Sequence, residues 1–132
     1  MIGNIIHILL IHTIADFIFQ TRKMGLNKGK SLSWLTIHVL VYSLSTSIFW
    51  GLYFGWSTFF PVLCLTFITH WVTDFITSRA SGYAYLKMLH YKDKNEQLEH
   101  IWQYHFWSVI GFDQLIHLIT LLLTYNYLIH TI

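Results

Sequence analysis

The chain has 132 residues and a net charge of +2, and only 11% of its residues are charged. An ordinary soluble domain has about 25% charged residues, so this composition argues against a soluble domain and favours a protein whose outside contacts lipid. Hydrophobic residues make up 55% of the chain, and its length allows one domain and no more.

Four apolar stretches follow one another along the chain and predict four membrane-spanning helices. They cover about residues 2–20, 32–52, 57–78 and 104–128. A spanning helix needs about 20 predominantly apolar residues, and residues 31–73 contain no Asp, Glu, Lys or Arg. Since backbone groups in hydrocarbon must bond internally, the predicted fold is an all-α, integral-membrane four-helix bundle that forms a single domain, residues 1–132. A soluble helical bundle with an apolar core is the alternative.

The basic residues predict the orientation of this bundle. All eight Lys and Arg residues lie in two segments, 21–31 and 79–103, which connect the first span to the second and the third to the fourth. The positive-inside rule places both segments in the cytoplasm and both termini on the non-cytoplasmic side of the inner membrane. Segment 79–103 is predicted to be an ordered loop or, in its first half, a short interfacial helix. The basic residues form no stripe interleaved with aromatics, so membrane lipid and not nucleic acid is the expected partner.

Three of the six acidic residues lie inside predicted spans, and each has a histidine four residues away. A spacing of four puts both members of a pair on one face of a helix. The pairs are His12 with Asp16, His70 with Asp74, and Asp113 with His117, and His38 adds a fourth imidazole on the second span. Counting about 1.5 Å per residue from the cytoplasmic ends puts His117 at roughly 19 Å and the other six at roughly 6–14 Å. We therefore expect the polar faces of the four spans to converge in one layer.

Acidic groups inside a membrane are costly unless they are paired, and they mark function by default. Histidine and carboxylate together are the ligand set of Zn, Mn and non-haem Fe, and helical bundles build such sites at one-turn spacing. The sequence thus predicts one or two divalent metal ions, with Zn first and Mn or Fe as alternatives. The predicted metal ligands are His12, Asp16, His38, His70, Asp74, Asp113 and His117. Buried hydrogen-bonded pairs between helices and a proton pathway are the two alternatives for this cluster.

Four motifs occur in a fixed order, namely HTIADFIFQ at 12–20, IHVLVYS at 37–43, THWVTDF at 69–75 and FDQLIHL at 112–118. Over nearly the whole chain they resemble an uncharacterised membrane-protein family of bacteria and phages, domain of unknown function 3307. The pattern of that family is His-x-x-x-Asp-Phe-x-x-Gln, a lone His, His-x-x-x-Asp, and Asp-Gln-x-x-His. The matching residues are His12, Asp16, Gln20, His38, His70, Asp74, Asp113, Gln114 and His117.

One position departs from this pattern. The family often carries a lysine shortly after the Asp of the third span, where this chain has Thr77, and Arg79 is the expected substitute. The family name supplies no function. The chain is more loosely similar to small membrane proteins labelled metal-dependent hydrolases, through short membrane helices that carry His and Asp.

These residues predict an intramembrane metal-dependent enzyme, with a hydrolase as the leading hypothesis. A bound metal would lower the pKa of a water molecule, and a carboxylate among Asp16, Asp74 and Asp113 would take its proton. Gln20 and Gln114 would hydrogen-bond a ligand or a coordinating carboxylate, and solvation of a helix end is the alternative for both. The depth of the cluster points to a lipid headgroup or an amphipathic cytosolic substrate. An ion or proton transporter, acting as a homo-oligomer, and a binding or signalling subunit with a structural polar core are the other two hypotheses.

Overall fold

The computed structural model describes residues 2–131, and these residues fold into five α-helices without a strand. The helices are α1 (Ile2–Thr13), α2 (Arg22–Asn27), α3 (Leu32–Phe54), α4 (Phe59–Tyr91) and α5 (Glu96–Thr131). A π-helical turn, Ile14–Ile18, continues α1, and a 3-10 turn, Trp56–Thr58, leads into α4. The prediction of an all-α fold is confirmed for the described residues.

The four longer helices pack side by side; short turns join α3 to α4 and α4 to α5, and the segment that contains α2 joins α1 to α3. The most extensive contact joins α4 and α5; α3 packs on α4, and α1 packs against α3 and α5. The short helix α2 lies against α3 at one end of this bundle. We call that end the α2 end.

Three helical stretches are long and apolar enough to cross a membrane, namely Leu32–Phe54, Trp56–Tyr91 and Glu96–Leu128. Large apolar side chains on them face outward, for example Phe60 and Leu123, which are 71% and 63% exposed. The first apolar helix, Gly3–Ile18, is shorter. At about 1.5 Å per residue it reaches roughly 24 Å, against about 30 Å for the hydrocarbon core of a bilayer. Three of the four predicted spans thus have the required length, and the orientation of the termini stays a prediction.

Helices α4 and α5 continue beyond the predicted ends of their spans. Of segment 79–103, predicted as a loop or a short interfacial helix, only residues 92–95 are non-helical. Two aromatic pairs join the extensions of the two helices, with 5.6 Å between the ring centroids of Tyr83 and Trp102 and 5.7 Å between those of Tyr85 and Phe106. The segment is therefore a helical hairpin. Besides its mixed charges it carries aromatic side chains, and these pack between α4 and α5.

The apolar core of the bundle lies at the end opposite to α2. It is formed by Ile8, Ile11, Trp50, Val62, Leu121 and Leu128. Helix α3 ends there at Gly55, whose φ of +105° favours glycine. Trp56 then packs on Gly51 so closely that a Cβ atom on this glycine would lie 2.8 Å from the indole ring. Because the apolar residues fill this half, the polar residues of the four helices meet in the other half.

A π-helical turn carries the first of these polar residues. In this turn the Phe19 N–H donates to the Ile14 carbonyl oxygen, five residues back, at 3.1 Å. Such turns are rare and occur frequently at functional sites, since they change the direction of the side chains they contain. Asp16 lies in the middle of the turn and is buried. The turn therefore directs a carboxylate into the interior of the bundle.

Helix α2 is capped at its start and is close to the bundle just beyond its end. The Thr21 hydroxyl accepts a hydrogen bond from the Met24 N–H at 3.3 Å and caps the start of the helix. Beyond the other end, Gly29 lies so close to α4 that a Cβ atom would stand 2.6 Å from the Ser78 carbonyl oxygen. This close approach brings the neighbouring Lys28 to the polar half of the bundle.

Candidate metal centre

Six side chains from the π turn, α3, α4 and α5 meet in the polar half of the bundle. We call them the polar centre: Asp16, His38, His70, Asp74, Asp113 and His117. They form three groups of three in which the ligand atoms lie within 4.8 Å of one another. His38, His70 and Asp74 are each only 1% exposed. The expected convergence of polar faces is therefore present in the structure.

Five of the six distances among four atoms of the polar centre are near those of a tetrahedral metal site. His38 Nε2 lies 3.1 Å from His70 Nε2 and 3.2 Å from both Asp16 Oδ1 and Asp74 Oδ2. His70 Nε2 lies 3.7 Å from the same Asp16 oxygen and 3.6 Å from the same Asp74 oxygen. Zinc bonds of about 2.0–2.1 Å put the ligand atoms of a tetrahedron about 3.3 Å apart. The measured distances are near this value, and we call the four atoms site 1.

Hydrogen bonds within the chain do not account for this arrangement. A single imidazole nitrogen serves as one donor or one acceptor, yet His38 Nε2 has four polar atoms within 3.2 Å, the fourth being Lys28 Nζ. Asp74 Oδ1 is buried and has no hydrogen-bond partner among the described residues, and buried Asp16 Oδ1 has only the crowded His38 Nε2 within hydrogen-bonding distance, at 3.2 Å. An unsatisfied buried acceptor costs about 1–3 kcal/mol. A cation placed among these lone pairs would remove that cost.

Lys28 contacts the polar centre, and sequence reasoning missed it. Its Nζ donates to Asp74 Oδ2 at 2.8 Å, and its side chain is 16% exposed. Burial lowers the pKa of Lys28, but the carboxylates of Asp74 and Asp16 outweigh burial, and the pKa lies above its ordinary value. Lys28 therefore stays charged and is a counter-ion for Asp74. The spacing of residues along the sequence does not predict this contact, because the approach of Gly29 to α4 is what brings Lys28 to the polar centre.

Arg79, the expected substitute for the lysine of the family, does not provide this cation. Its guanidinium donates to the Phe75 carbonyl oxygen at 2.7 Å and lies 3.8 Å from the centre of the Phe75 ring. Thr77, at the position of that lysine, donates to Asp113 Oδ1 at 2.5 Å. The cation beside Asp74 thus comes from a different segment of the chain.

Gln114 connects two carboxylates of the polar centre to His12. Its Nε2 donates to Asp16 Oδ2 and to Asp113 Oδ2, both at 3.1 Å, and its Oε1 accepts from His12 Nε2 at 3.0 Å. The Tyr42 hydroxyl lies 3.1 Å from His12 Nδ1 and donates to it. Gln114 thus hydrogen-bonds two carboxylates of the polar centre, and its role at a metal stays a prediction. The structure places His12, predicted as a ligand, behind Gln114 and outside the three ligand groups.

A cleft of about 220 Å³ adjoins the polar centre at the α2 end. Asp16, Asp74, Asp113 and Lys28 are at its polar side, and Ser78 and Ser81 are also part of its lining. Its apolar wall consists of Phe17, Phe106, Val109 and Ile110. Gln20, predicted to bind a ligand, lines this cleft, and its Oε1 has no hydrogen-bond partner among the described residues. The buried ligand atoms are therefore next to an accessible space.

Fold and site together define an all-helical protein with three membrane-length helices around a buried His/Asp centre. The chain matches the family described as Protein of unknown function (DUF3307) over residues 5–132, and it belongs to this family. The resemblance based on the four motifs is thereby confirmed. No curated protein and no solved structure matches the chain.

Proposed function

We propose that the protein is an intramembrane metal-dependent hydrolase that cleaves the headgroup of an amphipathic substrate. The observation that carries this proposal is site 1, where two imidazole nitrogens and two carboxylate oxygens converge beside a cleft. A hydrolytic metal site needs both a ligand set and space for water and substrate. Polar pairs that only join helices would need no cleft.

The charge of the polar centre supports a divalent ion. Asp16, Asp74 and Asp113 contribute three negative charges when ionised, and Lys28 contributes one positive charge, so the net charge is −2 with neutral imidazoles. Uncompensated charge in an interior of low dielectric is costly, and one divalent cation would neutralise it. Nitrogen and oxygen ligands at tetrahedral spacing make Zn the first candidate, with Mn or Fe as alternatives.

Side chains of the protein would carry out proton transfer and substrate binding, and the metal would activate water. A bound metal supplies one effect, a lower pKa of a water molecule. Asp113 belongs to the polar centre but not to site 1, and it lines the cleft with its carboxylate held by Thr77 and Gln114. It would take the proton of that water. Lys28, also on the cleft, would pair with an anionic group of the substrate.

The shape of the cleft supports a headgroup as the reacting part. Its volume of about 220 Å³ has room for several waters or a headgroup, and it is too small for a whole lipid. The apolar wall of the cleft would contact the start of an acyl chain. Toward the other end of the bundle, the space lined by His70 and His117 has no room for water in the described structure. This favours a site reached from one side over an ion path through the bundle.

Hydrolysis in vesicles tests the proposal. Zinc-loaded protein in vesicles of phosphatidylethanolamine and phosphatidylglycerol is expected to release water-soluble headgroup products, detected by mass spectrometry. Asp113→Asn is expected to slow the release about 100-fold, since general acid–base catalysis contributes about 10²–10⁴-fold. Asp93→Asn, at an exposed position between α4 and α5, is the matched control and should keep the wild-type rate. An Asp113→Asn variant as fast as wild type, or wild type without product, would contradict the proposal.

A further inference from the structure

We infer that the polar centre binds a second divalent metal ion, between Asp74 Oδ1 and His117 Nε2. The inference rests on the proposed function and adds an ion to the one in site 1. Asp74 would bridge the two ions, since its Oδ2 belongs to site 1 while its Oδ1 lies 3.6 Å from His117 Nε2. We call the second position site 2.

The hydrogen bonding of His117 shows why a cation fits there. Its Nδ1 lies 2.8 Å from the backbone carbonyl oxygen of Asp113, which can only accept, so Nδ1 carries the proton and donates it. In a neutral imidazole Nε2 then carries a lone pair, and this lone pair faces an oxygen of Asp74. Both atoms are buried, and neither has a hydrogen-bond partner in the described part of the chain. Two acceptors in this position repel each other unless a cation lies between them.

The distance between these two atoms argues against the simplest alternative, a protonated His117 paired with Asp74. A charged N–H···O bond is about 2.7–2.9 Å long. The observed 3.6 Å is longer than such a bond. It suits two ligand atoms of one metal ion, whose separation is about 3.3 Å when the metal bonds are about 2.0–2.1 Å.

Asp16 and Asp113 lie beside His117 and so near site 2. Oxygens of these two carboxylates and a nitrogen of His117 are within 4.8 Å of one another, and Asp113 Oδ2 lies 3.6 Å from His117 Nδ1. Asp16 uses Oδ1 in site 1, and its Oδ2 is held by Gln114 at 3.1 Å and remains available to a second ion. Asp113 stands on the cleft side, where it would contact the water of the second ion and keep its role as proton acceptor.

A second ion narrows the class of substrate. Three carboxylates, one ammonium and two divalent ions leave a net charge of +2, which an anionic headgroup would offset. Two metal ions about 3.5–4 Å apart stabilise the attacking and leaving oxygens of phosphoryl transfer. Together with the positive net charge, such a pair of ions favours a phosphate ester as the substrate class. Water adds to phosphorus, the bond from phosphorus to the alcohol oxygen breaks, and the proton taken by Asp113 passes to the alcohol.

Manganese binding tests site 2. Full-length protein in detergent is freed of metal with a chelator and titrated with Mn²⁺, and bound Mn is followed by electron paramagnetic resonance. Wild type is expected to bind two ions per chain with an exchange-coupled spectrum. His117→Gln should bind one ion with the six-line spectrum of isolated Mn²⁺. His105→Gln, exposed on the same helix, is the matched control and should bind two.

The outcomes separate this inference from the proposed function. One ion per wild-type chain, with an uncoupled spectrum, would overturn site 2 and leave site 1 in place. No bound ion would overturn both. A His117→Gln variant that still binds a coupled pair would also overturn site 2, and if this variant does not fold, the stoichiometry and spectrum of wild type decide.

Discussion

Replacing His38 with glutamine is expected to lower the affinity for Zn²⁺ by at least about 1,000-fold, or about 4 kcal/mol. Its Nε2 is within 3.2 Å of each of the other three atoms of site 1. Changes to residues that only support a metal ligand cost about 10–100-fold in affinity, and loss of a ligand costs more. Competition with a fluorescent zinc indicator, on protein in detergent, measures the change.

The control for His38 is a histidine of the same chain outside the polar centre. His90→Gln, at an exposed position of α4, should leave zinc affinity unchanged. If the polar centre were only a set of hydrogen bonds between helices, His38→Gln would lower stability without a change in zinc binding. That result would contradict the metal site.

Replacing Lys28 with methionine is expected to have opposite effects on the metal-free and the zinc-bound protein. Without metal, the substitution leaves Asp74 without its ammonium partner at 2.8 Å, and removing one partner of a buried ion pair costs about 3–5 kcal/mol. With zinc bound, the divalent ion neutralises the Asp74 carboxylate. In Lys28→Met it does not compete with an ammonium group for this carboxylate. The zinc-induced rise in melting temperature should therefore be larger in Lys28→Met than in wild type.

Tryptophan fluorescence during thermal unfolding, with and without Zn²⁺, measures both effects. Lys23→Met removes an exposed lysine of α2, the helix that precedes Lys28, and should change neither the metal-free melting temperature nor the response to zinc. Equal zinc stabilisation of Lys28→Met and wild type would show that Lys28 and the metal do not share Asp74.

Local helix geometry explains how much of the site could be predicted from sequence. Residues four apart share a face of any α-helix, so His70 with Asp74 and Asp113 with His117 could be grouped before the fold was known. Because lipid was expected to surround the helices, these polar faces were predicted to point into the bundle, since acidic groups avoid hydrocarbon. The all-α fold followed from the same physical argument.

Structural features that depend on contacts between separate segments of the chain could not be predicted from the sequence. The π turn begins directly after Thr13, and His12, which lies before it, contacts Gln114 and is outside the three ligand groups that contain Asp16 and its neighbours. Lys28 reaches Asp74 because Gly29 approaches the backbone of α4, and the periodicity of the sequence does not predict such an approach. The helical hairpin at 79–103 likewise depends on aromatic pairs between α4 and α5.

Metal content and coordination of the protein, purified without chelator, test the central claim most directly. Elemental analysis is expected to find at least one divalent metal per chain. X-ray absorption at the edge of that metal is expected to show imidazole nitrogens and carboxylate oxygens, at about 2.0–2.1 Å if it is zinc. Protein that contains no metal, and that neither binds nor is stabilised by added Zn²⁺, Mn²⁺ or Fe²⁺, would contradict it.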